Sequence, residues 1–321
     1  MLKTARNAIY KLDAHMSSYK CNQDPKITND MVQYLVTLFY FINNTSLKKR
    51  KDVEKINEMI FKENLVSKMI TLMGKCDQVI NNAISGLLQA TVLRFPDFSL
   101  PSYFKKHSKD LKKLCSYFSV IEIGSTAHII FRACISRSRD FAKYIFKKAY
   151  VISFFQYLVN DHFDLIGPAF ATYSILLNTY IDISAEHVAS NWDIYHYQFK
   201  IILHSGNYII LAYFLGILYK FLSATDCKQN MLKFIDDPEN LMIVLKLLKD
   251  PKRRLSVGAY NLFKLFAINA RRSMFTTSVI RNNKKLLLSI LEDYLIPDVP
   301  NIQEQLEQEH EQLIDVIKSI K

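Results

Sequence analysis

The stretch GNYIILAYFLGILYKFLSATDCKQNMLKFIDDPENLMIVLKLLKD, residues 206–250, decides the fold class. Its apolar spacing predicts a long apolar helix, then a short helix, and then a third helix after a clean break. The most apolar run, residues 209–219, ends at Lys220. A membrane span needs about 20 apolar residues, so the run is interpreted as a buried helix and no membrane span is predicted.

Helical periodicity continues from one end of the chain to the other. Only 7 Gly and 8 Pro are spread over 321 residues, too few turns for an all-β protein. The long helices are predicted to begin near Val79, Ile121, Asp164, Gly206 and Arg254, which are 42, 43, 42 and 48 residues apart. That period is typical of armadillo or HEAT repeats. The predicted fold is an all-α, armadillo/HEAT-like α-solenoid, a curved rod with a concave face.

No linker divides the sequence, so residues 1–321 are predicted to form a single helical-repeat domain. After Pro297 and Pro300, residues 302–320 form a charged amphipathic helix, and residues 300–321 are expected to cap the array. A coiled coil is the alternative, but it would need more heptads.

Several helix ends are also predicted. Thr28 or Asn29 is expected to cap a helix that runs to Ile42, and Gly74 is expected to end another. With Asp164 as an N-cap, Pro168 would fall in the first turn, where its missing N–H has no helical partner.

The charge balance is basic, with 42 Lys and Arg against 30 Asp and Glu, a net charge of +12. Such a surface suits nucleic acid, an anionic membrane or an acidic protein, or reflects a lysine-rich genome. Most basic clusters fall at helix ends, where they favour the helix dipole. Because the aromatic residues follow the core periodicity instead of interleaving with the charge, nucleic-acid binding is disfavoured.

Motifs for catalysis and for metals are missing from the sequence. The five cysteines are scattered without a C-x-x-C pair, and there is no phosphate-binding loop, H-E-x-x-H or EF-hand loop. His196 and His204 are eight residues apart, too far to share one ion without further ligands. We therefore expect no metal, no cofactor and no enzymatic activity. Because the first 15 residues lack the apolar region of a signal peptide, we expect a cytoplasmic location.

Several segments, in the order and spacing found here, resemble the calcium-binding protein 39 family, also called the mouse-protein-25-like scaffolds. The pieces that carry the resemblance are Phe131-Arg132-Ala133-Cys134-Ile135, Phe163-Asp164, Ala169-Phe170-Ala171-Thr172-Tyr173, Asn207-Tyr208, Pro238-Glu239-Asn240-Leu241, Leu247-Leu248-Lys249-Asp250 and Phe263-Lys264-Leu265-Phe266. The resemblance is strongest over residues 121–297 and thin over residues 1–120. It marks the chain as a divergent member.

The resemblance implies an armadillo-like scaffold without catalytic activity. Its expected partners are kinases or pseudokinases of the sterile-twenty group, in signalling or cell-polarity control, whose active-like state it stabilises. The resemblance also implies a pocket near the C-terminal repeats for a Trp-x-Phe tail of the partner.

Residue by residue, the resemblance places a partner-binding groove on this chain. Its members are Tyr208, Ala212, Leu245, Arg281, Asn282, Lys284, Thr225 and Lys228. Tyr208 matches the family's pocket tyrosine and Leu245 its methionine. Ala212 stands where the family has an arginine, and Asn282 where it has a lysine, with Arg281 and Lys284 close by.

On the face that holds the kinase, Thr225 and Lys228 replace an arginine and a phenylalanine of the family. Other readings remain open. Tyr208 and Leu245 could be core residues, and the basic side chains could be solvated. The concave face could also take another acidic protein or peptide.

Overall fold

The computed structural model describes residues 1–19, 25–43, 50–94, 99–159, 162–294, 296, 300–301 and 303–320. Cys21 and Pro297 lie outside these ranges. Contacts divide the chain into two compact units, Met1–Tyr180 and Ile181–Lys321, and each is described by itself. Within the described ranges the regular structure is helical.

The first unit contains eleven α-helices among its described residues. They are α1 (Leu2–Ser18), α2 (Pro25–Asn43), α3 (Arg50–Lys62), α4 (Leu65–Met73), α5 (Gln78–Arg94), α6 (Leu100–Lys106), α7 (Ser108–Ser116), α8 (Gly124–Arg137), α9 (Arg139–Lys147), α10 (Tyr150–Phe154) and α11 (Phe163–Asn178). A 3-10 turn, Phe155–Tyr157, follows α10.

The described part of the second unit contains nine α-helices. They are α12 (Ile181–Ser190), α13 (Trp192–Leu203), α14 (Tyr208–Leu222), α15 (Lys228–Ile235), α16 (Pro238–Leu248), α17 (Arg253–Ile268), α18 (Met274–Asn282), α19 (Lys284–Glu292) and α20 (Gln303–Ser319). A 3-10 turn, Thr225–Cys227, precedes α15.

The helices form three-helix repeats in which the third, long helix packs on the third helix of its neighbour. In the first unit α2 packs on α5, α5 on α8, and α8 on α11. In the second unit α14 packs on α17, and α17 on α20. Each such helix covers the apolar face of the one before it, the arrangement of an α-solenoid. The predicted all-α class and the α-solenoid arrangement are confirmed.

Hydrogen bonds between neighbouring repeats join residues that are about one repeat apart in sequence. The Asn230 amide donates to the Ala185 carbonyl at 2.9 Å, 45 residues apart. The hydroxyl of Tyr180 donates to the carbonyl of Ser136 at 3.4 Å, 44 residues apart. Equivalent positions of successive repeats therefore meet, which is the contact that the sequence period predicts.

One predicted helix start and one predicted N-cap are wrong. Helix α2 begins at Pro25 and not after Thr28 or Asn29, because proline suits the first helical position. Helix α11 begins at Phe163 with His162 as its N-cap, so Pro168 lies inside the helix. A bond from the Leu165 N–H to the His162 carbonyl, at 3.0 Å, closes this earlier first turn.

Gly74 ends α4 as predicted, but glycine is favoured there by packing against a neighbouring repeat and not by the backbone conformation. Its φ is −78°, so the backbone does not require glycine. A Cβ atom there would lie 3.0 Å from Cε1 of Tyr117, whose hydroxyl donates to the Ile70 carbonyl at 3.0 Å. The aromatic ring of the following repeat occupies the space.

The last helix has the packing expected of a cap. Helix α20 packs on α17 and α19 and buries Leu313, Ile317 and His310. Ile302, where the helix is predicted to begin, lies outside the described residues. The single-domain organisation and the capping role remain predictions.

No single helix among the described residues is long and apolar enough to cross a membrane. One bent pair, Tyr208–Leu222 with Thr225–Ile235, passes the test of length and composition together, with a bend of 91°.

Candidate partner-binding site

Tyr208 is the first residue of α14, and the local sequence fixes its position. The Asn207 side chain caps the helix by accepting hydrogen bonds from the Ile209 and Ile210 N–H groups at 3.0 and 3.3 Å. Tyr208 is half-buried, so it is not a core residue. It therefore stands at a fixed point with part of its ring accessible.

The structure places a lysine against this ring. The Nζ atom of Lys252 lies 4.7 Å from the centroid of the Tyr208 ring, a cation–π contact. Lys252 is the N-cap of α17, and its own N–H donates to the Asp250 carboxylate at 2.8 Å. Ala212 lies one helical turn after Tyr208 and is half-buried. A cation therefore lies beside Tyr208 in this chain as well. It is the ammonium of Lys252, whereas the resemblance implies an arginine of the family at the position that Ala212 occupies here.

Sequence reasoning missed Lys252, although a signal was present. Lys252 follows Tyr208 by 44 residues, about one repeat. In a stacked repeat protein such positions are neighbours in space, so the period could have identified it.

Leu245 lies on α16, which packs on α17 and α18. The helix is set by Asp237, whose carboxylate caps it by accepting from the Glu239 N–H at 2.8 Å, and by Pro238 in its first turn. Leu245 is half-buried and so keeps part of its surface accessible.

The basic candidates on α18 and α19 differ in their surroundings. Arg281 and Asn282 end α18 and are exposed. Lys284 begins α19, and its ammonium donates to the carbonyls of Lys318 and Ile320 at 2.5 and 3.1 Å. Lys284 therefore neutralises the C-terminal end of α20, and Arg281 is the candidate cation with an exposed side chain.

Thr225 begins the 3-10 turn between α14 and α15, Lys228 is the first residue of α15, and both are exposed. The segment packs through Cys227, which is buried, and helix α15 contacts α14 and α17. Both side chains are therefore accessible.

His196 and His204 belong to a network of polar contacts between α13 and α16. His196 Nε2 lies 2.8 Å from the Asp237 carboxylate, and His204 Nε2 lies 2.8 Å from the Glu239 carboxylate. Lys200 donates to both carboxylates, at 2.9 and 2.5 Å. These hydrogen bonds lower the pKa of Glu239 and raise that of Lys200.

The network joins equivalent helices of adjacent repeats, and each histidine lies beside a different carboxylate. Across the described residues, no group of three or more His, Cys, Asp or Glu side chains is placed to hold a metal ion.

A cavity of about 390 Å³ lies in the second unit, and Tyr219, Lys264 and Glu309 form part of its lining. These residues are 45 apart, one in each of α14, α17 and α20. Lys264 is 7% exposed and donates to the Glu309 carboxylate at 2.8 Å, which lowers the pKa of Glu309. Its Nζ also lies 5.6 Å from the Tyr219 ring centroid. Lys264 is buried and paired with Glu309, so its charge is compensated within the protein. We interpret Tyr219, Lys264 and Glu309 as contacts between repeats and not as a binding site.

Helical repeats that stack through equivalent helices define an α-solenoid repeat protein. The sequence model of the Mo25-like family matches residues 1–321, and the chain belongs to this family. Family membership supports a scaffold of the calcium-binding protein 39 type. The resemblance found in the sequence is confirmed.

Individual relatives agree with this placement. The Mo25-like protein of Schizosaccharomyces pombe is 26% identical over 304 residues, covering 85% of this chain and 92% of the relative. The calcium-binding protein 39-like protein of Mus musculus is 26% identical over 255 residues, covering 79% of this chain and 73% of the relative. At this identity the chain is a divergent member of its family.

Proposed function

We propose that the protein is a non-catalytic, cytoplasmic scaffold that binds a kinase or pseudokinase of the sterile-twenty or a related group and stabilises its active-like state. The observation that supports this most strongly is the family match over residues 1–321. Signalling or control of cell polarity is the setting that such a scaffold would serve.

The physical mechanism is a population shift. A rigid surface that fits one conformation of a kinase better than the others favours that conformation by its difference in affinity. About 1.4 kcal/mol of differential affinity changes the ratio of the two states tenfold. No scaffold residue has to touch the reacting groups.

The proposed docking point for a partner's tail is the surface around Tyr208 and Lys252. An aromatic side chain of the tail would pack on Tyr208, and a carboxylate would pair with a cation. The Lys252 ammonium, 4.7 Å from the ring centroid, supplies a point charge there. It cannot replace the planar, bidentate contact of an arginine, so the tail is held less tightly than an arginine at position 212 would hold it.

A pulldown from the source cell tests the proposed function. The expected result is recovery of a protein kinase or pseudokinase, and a rise in the activity of a partner kinase when the scaffold is added. Recovery of no kinase, together with unchanged activity of candidate kinases, would refute the proposal.

A second prediction concerns a Trp-x-Phe peptide. We expect the unmodified chain to bind it weakly, and Ala212→Arg to tighten binding about 10- to 100-fold through a charge-assisted bidentate contact. Lys252→Ala should weaken binding further. Isothermal titration calorimetry measures all three affinities.

Two controls match these substitutions. Gly216→Arg adds the same charge one turn along α14, where nothing lies within 4 Å of an added Cβ. Lys249→Ala removes an exposed lysine at the end of α16. Tight binding by the unmodified chain, or an equal gain from Gly216→Arg, would contradict the prediction.

A further inference from the structure

The positive charge of the chain is concentrated in one segment of the first unit. Residues 99–159 contain eleven Lys or Arg and three Asp or Glu, a net charge of +8 out of +12 for the whole sequence. Eight of the eleven are lysines on or beside α6, α7 and α9, and all eight are exposed: Lys105, Lys106, Lys109, Lys112, Lys113, Lys143, Lys147 and Lys148.

Within the described part of the chain, no carboxylate neutralises these lysines. Among the residues that the structure describes, none of the eight forms an ion pair with a carboxylate. The ion pairs lie elsewhere, for example between Lys200 and Asp237. A basic surface with unpaired charges attracts an acidic partner at long range.

A cleft opens within this surface. Its volume is about 530 Å³, and it lies between α7 on one side and α9 and α10 on the other. Lys112 and Lys148 line it together with Tyr144, Tyr150 and Tyr157, three serines and Cys115, and no Asp or Glu is among the lining residues. The Tyr157 hydroxyl donates to the Cys115 carbonyl at 3.3 Å, which fixes one wall.

The lining groups other than the lysines add little charge. Burial raises the pKa of Tyr150 to about 12 and that of the Cys115 thiol to about 12, and it also raises the pKa of Tyr157. All three groups are therefore neutral at pH 7, and they leave the lysine charges unopposed.

A second cavity lies on the same segment of the chain. Its volume is about 610 Å³, and Lys105, Lys106 and His107 line it together with Glu58. Because a carboxylate lines this cavity, the cleft beside Lys112 and Lys148 is the better site for an acidic ligand.

We propose that the cleft between α7 and α9–α10 binds an acidic peptide segment of a partner protein, with carboxylates on Lys112 and Lys148 and an aromatic side chain among the three tyrosines. Lysine ammonium groups and neutral aromatic rings suit those two kinds of side chain. This site is separate from the surface around Tyr208 and does not depend on it.

The shape of the cleft favours a peptide over other acidic partners. A cleft between helices admits a few side chains, whereas a bilayer surface or a nucleic-acid duplex is too broad to enter it. The three tyrosines are half-buried, so they do not form the exposed stacking platform that single-stranded nucleic acid requires. No large aliphatic side chain that could enter a bilayer lines the cleft.

Fluorescence anisotropy with a labelled, short Asp/Glu-rich peptide that carries one central Phe tests the proposal. We expect the full chain to bind it, and Lys112→Glu/Lys148→Glu to weaken binding at least about tenfold, because two attractive contacts become repulsive. Lys112→Gln/Lys148→Gln is a milder variant that keeps the site testable if charge reversal impairs folding. Replacing the central Phe of the peptide with Ala should weaken binding several-fold.

The matched control is Lys3→Glu/Lys285→Glu, which makes the same change in net charge at two exposed lysines far along the sequence from the cleft. It should change the affinity less than about twofold at physiological salt, where distant charges are screened. Equal weakening by the control would overturn the proposal, since net charge alone would then explain binding. Tighter binding of phosphatidylserine vesicles or of a single-stranded oligonucleotide, with the same dependence on Lys112 and Lys148, would overturn it in favour of those partners.

Discussion

Replacing Gly258 with alanine is expected to destabilise the protein by about 1–3 kcal/mol, as overpacking a core does. Gly258 lies on α17, where α14 crosses it. A Cβ atom at this position would lie 2.7 Å from Cβ of Leu215 and 3.0 Å from its Cδ1. A Cβ atom cannot rotate out of the way, so the two helices would have to move apart.

The matched control is Gly216→Ala, on α14 next to Leu215. Nothing lies within 4 Å of an added Cβ at Gly216. Alanine there should stabilise the helix by up to about 1 kcal/mol, because glycine costs more backbone entropy. Urea unfolding followed by circular dichroism measures both. Equal effects of the two substitutions on the free energy of unfolding would show that the close approach of α14 does not prevent a larger side chain at position 258.

This close crossing also has a functional consequence. Helix α14 begins with Tyr208, and α17 is capped by Lys252, so the packing of these helices sets the 4.7 Å distance between the ammonium and the ring. We therefore expect Gly258→Ala also to weaken binding of any ligand that uses both residues.

The stability of the first unit is expected to fall by about 2 kcal/mol between pH 6.5 and 5 because of His128. Its ring is fully buried, stacks on Phe118 with centroids 4.2 Å apart, and lies 3.0 Å from the Thr172 hydroxyl. Burial, and secondarily the charge of Arg132, lowers its pKa from 6.5 to about 3.

The direction follows from where the protons bind. Between pH 6.5 and about 3 the unfolded chain carries a proton on this imidazole and the folded chain does not. Acid therefore favours the unfolded state, and stability rises with pH across this window.

The tautomer of the neutral ring follows from its neighbour. The hydroxyl of Thr172 donates its own hydrogen to the Pro168 carbonyl at 3.0 Å, so its oxygen accepts a hydrogen bond from the imidazole. Nδ1 therefore holds the proton of the neutral ring.

Urea unfolding at a series of pH values, on the unmodified chain and on His128→Leu, measures this effect. The variant should have a smaller slope between pH 6.5 and 5, by about 1.4 kcal/mol per pH unit. Ile130→Val, at a buried position of the same helix, should cost about 1 kcal/mol at every pH and leave the slope unchanged. Equal slopes for His128→Leu and the unmodified chain would show that His128 is not the titrating group.

Local sequence was sufficient for most of the helices because their apolar residues recur on one face. The pattern failed where a helix start depends on details of the first turn, as at Pro25 and Phe163. The family resemblance, and not the apolar pattern, pointed to Tyr208 and Leu245, and the structure leaves both partly accessible. The resemblance did not reveal what surrounds them.

The sequence by itself determined the all-α class, the repeat of about 45 residues and the family, because periodic burial and ordered segments are properties of the chain alone. The tertiary structure alone decided that Lys252 reaches Tyr208, that Lys284 holds the end of α20, and that a basic cleft opens beside Lys112. Each of these contacts joins different helices, mostly of neighbouring repeats. Such contacts depend on how closely the helices approach, and that distance is set by packing between residues far apart in sequence.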